Sequence, residues 1–230
     1  MSQQTSSDIA VPVLTIDGPS GAGKGAVSAR VATRLGWQLL DSGAVYRSVA
    51  AAALDRGLGE RDEIGLLELC ANLDLSFSAG RNGIAVNLEG QSVDDRLRTE
   101  EVSVMSSKVA ELPAVRAALL DLQRSFRTYP GLVADGRDMG TVVFPDAPIK
   151  IFLDASVEER AKRRHKQLKE KGENVIFLRL FRDLEERDRR DRERAVSPTI
   201  PAADAVVVDS TRLSLDEVVE QVVEIALERL

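Results

Sequence analysis

An α/β fold, with a five-stranded parallel sheet flanked by helices, is what this sequence predicts. Three observations carry that expectation. Short apolar runs alternate with helix-period patterns along most of the chain. The second to fifth of those runs lead straight into Asp41, Asp135, Asp154 and Asp209, and open sheets of this kind gather ligands at the carboxyl edge. The first run is followed by Gly18-Pro19-Ser20-Gly21-Ala22-Gly23-Lys24-Gly25, a glycine-rich turn that opens a helical pattern.

Taken in order, Val11–Ile16 is the first predicted strand and Ala26–Leu35 the first helix, with Gly36 as its cap. Trp37–Leu40 is a short second strand ending at Asp41-Ser42-Gly43, and Ala44–Arg56 is a helix stopped near Gly57. Ile64–Cys70 has the apolar pattern of a packed helix. The alternation then breaks. Leu73–Phe77 and Ile84–Leu88 alternate apolar with polar residues around Gly80-Arg81-Asn82-Gly83, which predicts an antiparallel hairpin, with Gln91-Ser92-Val93 as a third strand. Helices Glu100–Ala110 and Ala114–Arg127 lead back to the strands Leu132–Ala134, Ile149–Leu153 and Ala205–Val208. Ser156-x-x-Glu159 and Ser214-x-x-Glu217 read as capping boxes at two helix starts.

Composition bounds the function. A chain of 230 residues, 43% apolar and 30% charged, can bury a proper core and suits one domain with appended lobes. No apolar run approaches the length of a membrane span. Residues 1–8 are polar, without a basic start or apolar middle, so they read as a disordered tip rather than a secretory signal. Cys70 is the only cysteine and His165 the only histidine, which excludes an internal disulfide and a metal site built from either residue type. The cysteine usage fits a reducing cytoplasm. A net charge of −6 argues against general nucleic-acid binding.

The chemistry concentrates in a few stretches. In Gly18–Gly25 the glycines allow backbone N–H groups to turn inward around phosphate oxygens, and the following helix adds its N-terminal partial charge. Lys24 can reach the outer phosphates as a mobile point charge. The position after Lys24, where Ser or Thr would carry a hydroxyl to magnesium, holds Gly25, followed by Ala26. A metal there is held through waters and substrate oxygens, or more weakly than usual. Three further stretches bear arginines: Asp41–Arg47, Asp135-Gly136-Arg137-Asp138-Met139-Gly140, and Phe181–Arg194 with Arg187, Asp191 and Arg194. The last has a plain reading as a solvated helix with i,i+4 pairs such as Asp183–Arg187 and Asp188–Arg192. Arginines beside a phosphate loop also suit phosphoryl transfer, which needs charge neutralisation and alignment. An Asn-Lys-x-Asp guanine reader, expected of a GTPase, is absent.

The stretches Asp17–Gly25, Leu40–Arg47, Ala134–Val143 and Arg194–Pro198, with the hairpin insertion, resemble the bacterial cytidylate kinase family over roughly residues 11–228. The resemblance implies a P-loop nucleoside triphosphate hydrolase-like core (1–41, 118–156 and 174–230). It also implies an inserted monophosphate-binding lobe (42–117, β insertion about 73–93) and a short lid (157–173). It implies transfer of the ATP γ-phosphoryl group to CMP or dCMP with magnesium, by a cytoplasmic monomer. ATP would lie on Gly18, Pro19, Ser20, Gly21, Ala22, Gly23, Lys24, Gly25 and Ala26. Ser42, Asp138 and Arg116 would read cytosine with Ser107, Tyr46 would line the pocket, and Arg47 and Arg137 would hold the CMP phosphate. Arg187 and Asp191 would face the sugar, Arg194 would bridge toward the phosphates, and Asp135 would hold magnesium through water. Lys24, Arg137, Arg187 and Arg194, with the lid arginines Arg160 and Arg164, make up the implied catalytic set. Arg163 is an alternative to the latter two. Kinases of shikimate or AMP are disfavoured by the hairpin insertion and Asp138.

Overall fold

The computed structural model describes residues 11–230 except Arg81, Asn82, Lys171, Glu173 and Ala195. The expected disordered tip and the centre of the hairpin turn therefore lie outside the described residues. In chain order the elements are β1 (Val13–Asp17), α1 (Lys24–Leu35), β2 (Gln38–Asp41), α2 (Ser42–Asp55), α3 (Glu63–Ala71), β3 (Leu75–Gly80), β4 (Gly83–Leu88) and β5 (Gln91–Ser92). They continue as α4 (Asp94–Leu97), α5 (Glu100–Val109), α6 (Pro113–Ser125), β6 (Leu132–Asp135), a π-helical segment (Met139–Val143), β7 (Ile149–Asp154), α7 (Val157–Glu170), α8 (Phe177–Glu193), β8 (Val206–Asp209) and α9 (Leu215–Arg229).

The main sheet is parallel, ordered β2-β6-β1-β7-β8. All five residues of β1 are buried, because this central strand is covered on both faces. One face carries α1 and α9, whose Val27, Val31, Val219 and Val222 pack on Leu14, Ile16 and Ile151. Helices α2, α3, α5 and α6 supply the opposite core, with Val45, Val49, Leu66, Val102 and Leu119 in one cluster with Val13, Leu132 and Ala134. The inserted region thus shares its core with the sheet.

Each predicted strand is present, and the sheet strands extend one residue further, onto the aspartates themselves. Gly36 caps α1 in the left-handed conformation at φ 68°. That helix starts at Lys24 rather than Ala26, because Gly23 at φ 98° already turns the chain into it. The hairpin forms with β3 shifted two residues onward, so that Phe77 faces Val86 and β4 bridges to β5. Gly83 brings the hairpin end against the start of α1: a Cβ there would lie 3.5 Å from the Gly25 carbonyl carbon. Of the two capping boxes, Ser214–Glu217 is complete. At Ser156 only half forms; Glu159 N–H donates to the hydroxyl at 3.2 Å, while the Glu159 carboxylate turns to Arg163 at 3.2 Å.

Two elements had no sequence signal. One is the single turn α4. The other is the π segment, whose Val143 N–H donates to the Asp138 carbonyl at 3.2 Å and Phe144 N–H to the Met139 carbonyl at 2.7 Å. Such wide turns concentrate at functional sites, and this one begins beside Asp138.

Cys70 is buried in α3, and burial pushes its thiol up to about 11. The thiolate is the reactive form, so the folded protein at pH 8 is expected to react with a disulfide reagent at least about tenfold more slowly than the denatured chain. Equal rates in native buffer and in denaturant would contradict that packing.

Candidate active site

The phosphate loop leaves β1 in a path only glycine can follow at its start. At Gly18 (φ +146°) a Cβ would lie 2.0 Å from the Leu153 carbonyl oxygen. The Lys24 ammonium folds back to donate to the Pro19 carbonyl at 3.0 Å, and its side chain is buried. Beyond the loop opens a cavity of about 340 Å³, within the range of small-molecule sites.

The walls are the carboxyl edge of the sheet and the helices that follow it. Ser20, Gly21, Gly23, Lys24, Gly25 and Ala26 of the loop line the cavity. Every residue implied for CMP lines it too: Ser42, Tyr46, Arg47, Ser107, Arg116, Arg137, Asp138, Arg187, Asp191 and Arg194. Asp135 is in the same lining. Gly18, Pro19 and Ala22 stand behind the lining, where they shape the loop.

Charge organises this cavity. Six basic side chains (Lys24, Arg47, Arg116, Arg137, Arg187 and Arg194) face four carboxylates (Asp41, Asp135, Asp138 and Asp191). Arg47 pairs with Asp41 at 2.9 Å. Asp191 accepts from Arg194 and, at 3.4 Å, from Arg137. Arg116 binds Asp138, donates to the Ser197 hydroxyl at 2.7 Å and lies 5.8 Å from the Tyr46 ring centroid. The Nε atoms of Arg47, Arg187 and Arg194 are buried with no hydrogen-bond partner among the described residues. Burial, then the neighbouring Arg137, pulls the Arg187 guanidinium down to about 10. Unpaired buried donors beside excess positive charge make an anion site.

Lys24 and Asp135 oppose each other in the same dry corner. Burial, then the Arg137 charge, pulls Lys24 down, while burial pushes Asp135 up against the pull of Lys24. Burial also pushes Tyr46 up to about 12, so its hydroxyl stays protonated.

The lid arginines depart from expectation. Arg160 does not reach the cavity: 1% exposed, it donates to the Ala155 carbonyl at 2.9 Å and the Ser20 carbonyl at 2.8 Å, and pairs through both terminal nitrogens with Asp188. Its guanidinium braces the loop against α8. Arg163 acts similarly, donating to the Ser210 carbonyl at 2.6 Å. Arg164 is exposed on α7 outside the cavity lining, whereas Gln167 on the same helix is in it. The pairs expected within α8 are replaced: Asp188 turns to Arg160, and Asp183 lies 3.9 Å from Arg179. Sequence reasoning also missed three supports, the buried Asp17 and Gln123 and the half-buried Ser197.

Comparison with known proteins identifies the family of the chain. The model of the family described as "Cytidylate kinase" matches residues 14–228. The chain belongs to the cytidylate kinase family. Cytidylate kinase of Klebsiella pneumoniae is 56% identical over 220 residues, 96% of this chain and 97% of that one. Cytidylate kinase of Methylococcus capsulatus is 59% identical over 210 residues, 91% and 94% of the two chains. Among solved structures, an uncharacterized protein from Eubacterium ventriosum superposes with a TM-score of 0.50 at 13% identity, covering 95% of this chain and 99% of that one, and bears on the fold alone.

The Arg160–Asp188 pair yields a stability prediction. Arg160→Ala leaves Asp188 buried without its partner, a change expected to cost about 3–5 kcal/mol of unfolding free energy. Chemical denaturation measures it. A variant with wild-type stability and lost activity would restore Arg160 to the catalytic set.

Proposed function

We propose that the cavity binds ATP phosphates along Gly18–Ala26 and CMP or dCMP against the arginine-rich wall opposite. As a member of the cytidylate kinase family, the protein transfers the γ-phosphoryl group of ATP to CMP or dCMP, giving ADP and CDP or dCDP. The observation that carries the residue assignment is the convergence of all ten implied CMP residues on the cavity that Lys24 and the loop also line.

In this reading Arg47 and Arg137 hold the CMP phosphate, helped by the unpaired N–H groups of Arg187 and Arg194. Asp138 accepts from the exocyclic amine of cytosine, a donor that uracil lacks. Its carboxylate is bound by Arg116, and Ser107 lines the same cavity. Arg187 and Asp191 face the sugar, while Arg194 bridges toward the transferred group. The attacking phosphate oxygen is anionic at neutral pH, so no general base is required. Burial weakens the charge of Lys24, and a neighbouring phosphate anion favours its protonated form.

Magnesium fits the donor set. Asp135 is the carboxylate beside the loop; a Cβ on Gly25 would stand 3.5 Å from its Oδ2. No group of three or more His, Cys, Asp or Glu residues that could hold a metal occurs among the described residues. One carboxylate supplemented by waters and phosphate oxygens is how this ion is usually held, and when bound it neutralises phosphate charge. As the family resemblance implies, Asp135 would hold the ion through water.

The segment 42–117 and the lid 157–173 close over the substrates, because water reaching the γ-phosphate would give hydrolysis. Exposed Arg164 is then the lid arginine free to approach the phosphates. The protein works as a cytoplasmic monomer on these small molecules, without nucleic-acid or membrane partners. No helix among the described residues is long and apolar enough to cross a membrane.

Two substitutions test the assignment. Asp138→Ala is expected to lower the CMP-to-UMP ratio of kcat/KM by about tenfold or more while ATP binding stays nearly intact. An unchanged ratio removes Asp138 from base recognition. Lys24→Ala is expected to reduce turnover on the order of a hundredfold or more by removing charge stabilisation of the transferring phosphoryl. Near wild-type turnover would overturn the role given to the loop.

A further inference from the structure

We propose that Gln123, a residue that does not line the cavity, is a positioning residue that makes the enzyme discriminate cytosine from uracil through Ser42. The inference rests on the placement of the base beside Ser42. Gln123 lies on α6, 2% exposed, and Ser42 opens α2, 4% exposed, 81 residues earlier in the chain. The Ser42 hydroxyl donates to Gln123 Oε1 at 2.8 Å, and Gln123 Nε2 donates to the Leu119 carbonyl at 3.1 Å.

That second bond fixes the direction of the first. Leu119 offers a carbonyl, which can only accept, so the amide must present its nitrogen there and its oxygen to Ser42. A serine hydroxyl has one proton. With that proton committed to Gln123, Ser42 offers the cavity lone pairs alone. Cytosine presents an amine donor at the position where uracil presents a carbonyl oxygen. An acceptor-only Ser42 receives the amine and repels the carbonyl. A serine with a freely rotating hydroxyl would accept from the cytosine amine or donate to the uracil carbonyl. Asp138, bound to Arg116, is an acceptor on other grounds, so Ser42 and Asp138 present the same polarity by independent means.

The test is the ratio of kcat/KM for UMP to that for CMP, measured in wild type, Gln123→Met, Gln123→Leu and Gln123→Glu. The Met and Leu variants free the hydroxyl and are expected to raise the ratio about tenfold. The Glu variant, kept protonated by burial, still donates to Leu119 and accepts from Ser42, and should keep the wild-type ratio. A ratio compares two substrates on the same folded molecules, so loss of folded protein cancels. In a Ser42→Ala background the Gln123 substitutions should leave the ratio unchanged. Unaltered selectivity in Gln123→Met and Gln123→Leu, or a change that persists without the Ser42 hydroxyl, overturns the proposal while leaving the base site standing. A wild-type enzyme that prefers UMP or fails to distinguish the two defeats the base site itself, and this inference with it.

Discussion

Two hydrogen bonds to one buried carboxylate set the geometry of the cleft. Asp17, the last residue of β1, accepts from the backbone N–H groups of Met139 and Gly140, each at 2.8 Å. Burial pushes its carboxyl up to about 6, so holding the ionised form there at neutral pH carries a cost that the two N–H donors offset in part. The result ties the strand that launches the phosphate loop to the loop that leaves β6. Asp135, Arg137 and Asp138 are thereby held across from Lys24 instead of trailing away with their own strand. The π segment starts at Met139, where the chain is already pinned by Asp17, and its widened turn follows that anchor.

In the proposed reading, the cleft separates its tasks by chemistry. At the phosphate end, arginines are partly neutralised by Asp41 and Asp191 but retain buried, unpaired Nε donors. Asp138 is bound by Arg116 and Ser42 by Gln123, so if these two read the base as proposed, recognition depends on acceptors fixed before the substrate arrives. Burial weakens Lys24 and Asp135 as charges, and they are the groups proposed to meet phosphate and metal. Preorganisation of this kind needs rigid backing. The core shared by α2, α3, α5, α6 and the sheet provides it on one side, and the Arg160 brace between the loop and α8 on the other.

Much of this architecture could be read from the chain because its signals are local. Glycines at 18, 21, 23 and 25 with Lys24 define a loop within eight residues, and apolar runs ending in aspartates mark the sheet edge. The arginine stretches were visible as composition. What resisted reading depends on partners distant in sequence. Asp17 meets Met139 across 122 positions, Ser42 meets Gln123 across 81, and Arg160 meets Ser20 across 140. A spacing of one helical turn put Arg160 and Arg164 on one face, but could not show that the first is consumed by Ser20 and Asp188. The i,i+4 pattern in α8 failed for the same reason, since Asp188 is buried toward α7 rather than solvated.

The most direct test of the central claim is ADP release by the purified protein with ATP and magnesium, offering CMP, dCMP, UMP, AMP and GMP in turn beside an acceptor-free control. The arrangement described here predicts strong release with CMP and dCMP and little with the other acceptors or with none. Release that is indifferent to the acceptor, or equal with and without one, would contradict a cleft built to hold cytosine opposite the phosphate loop.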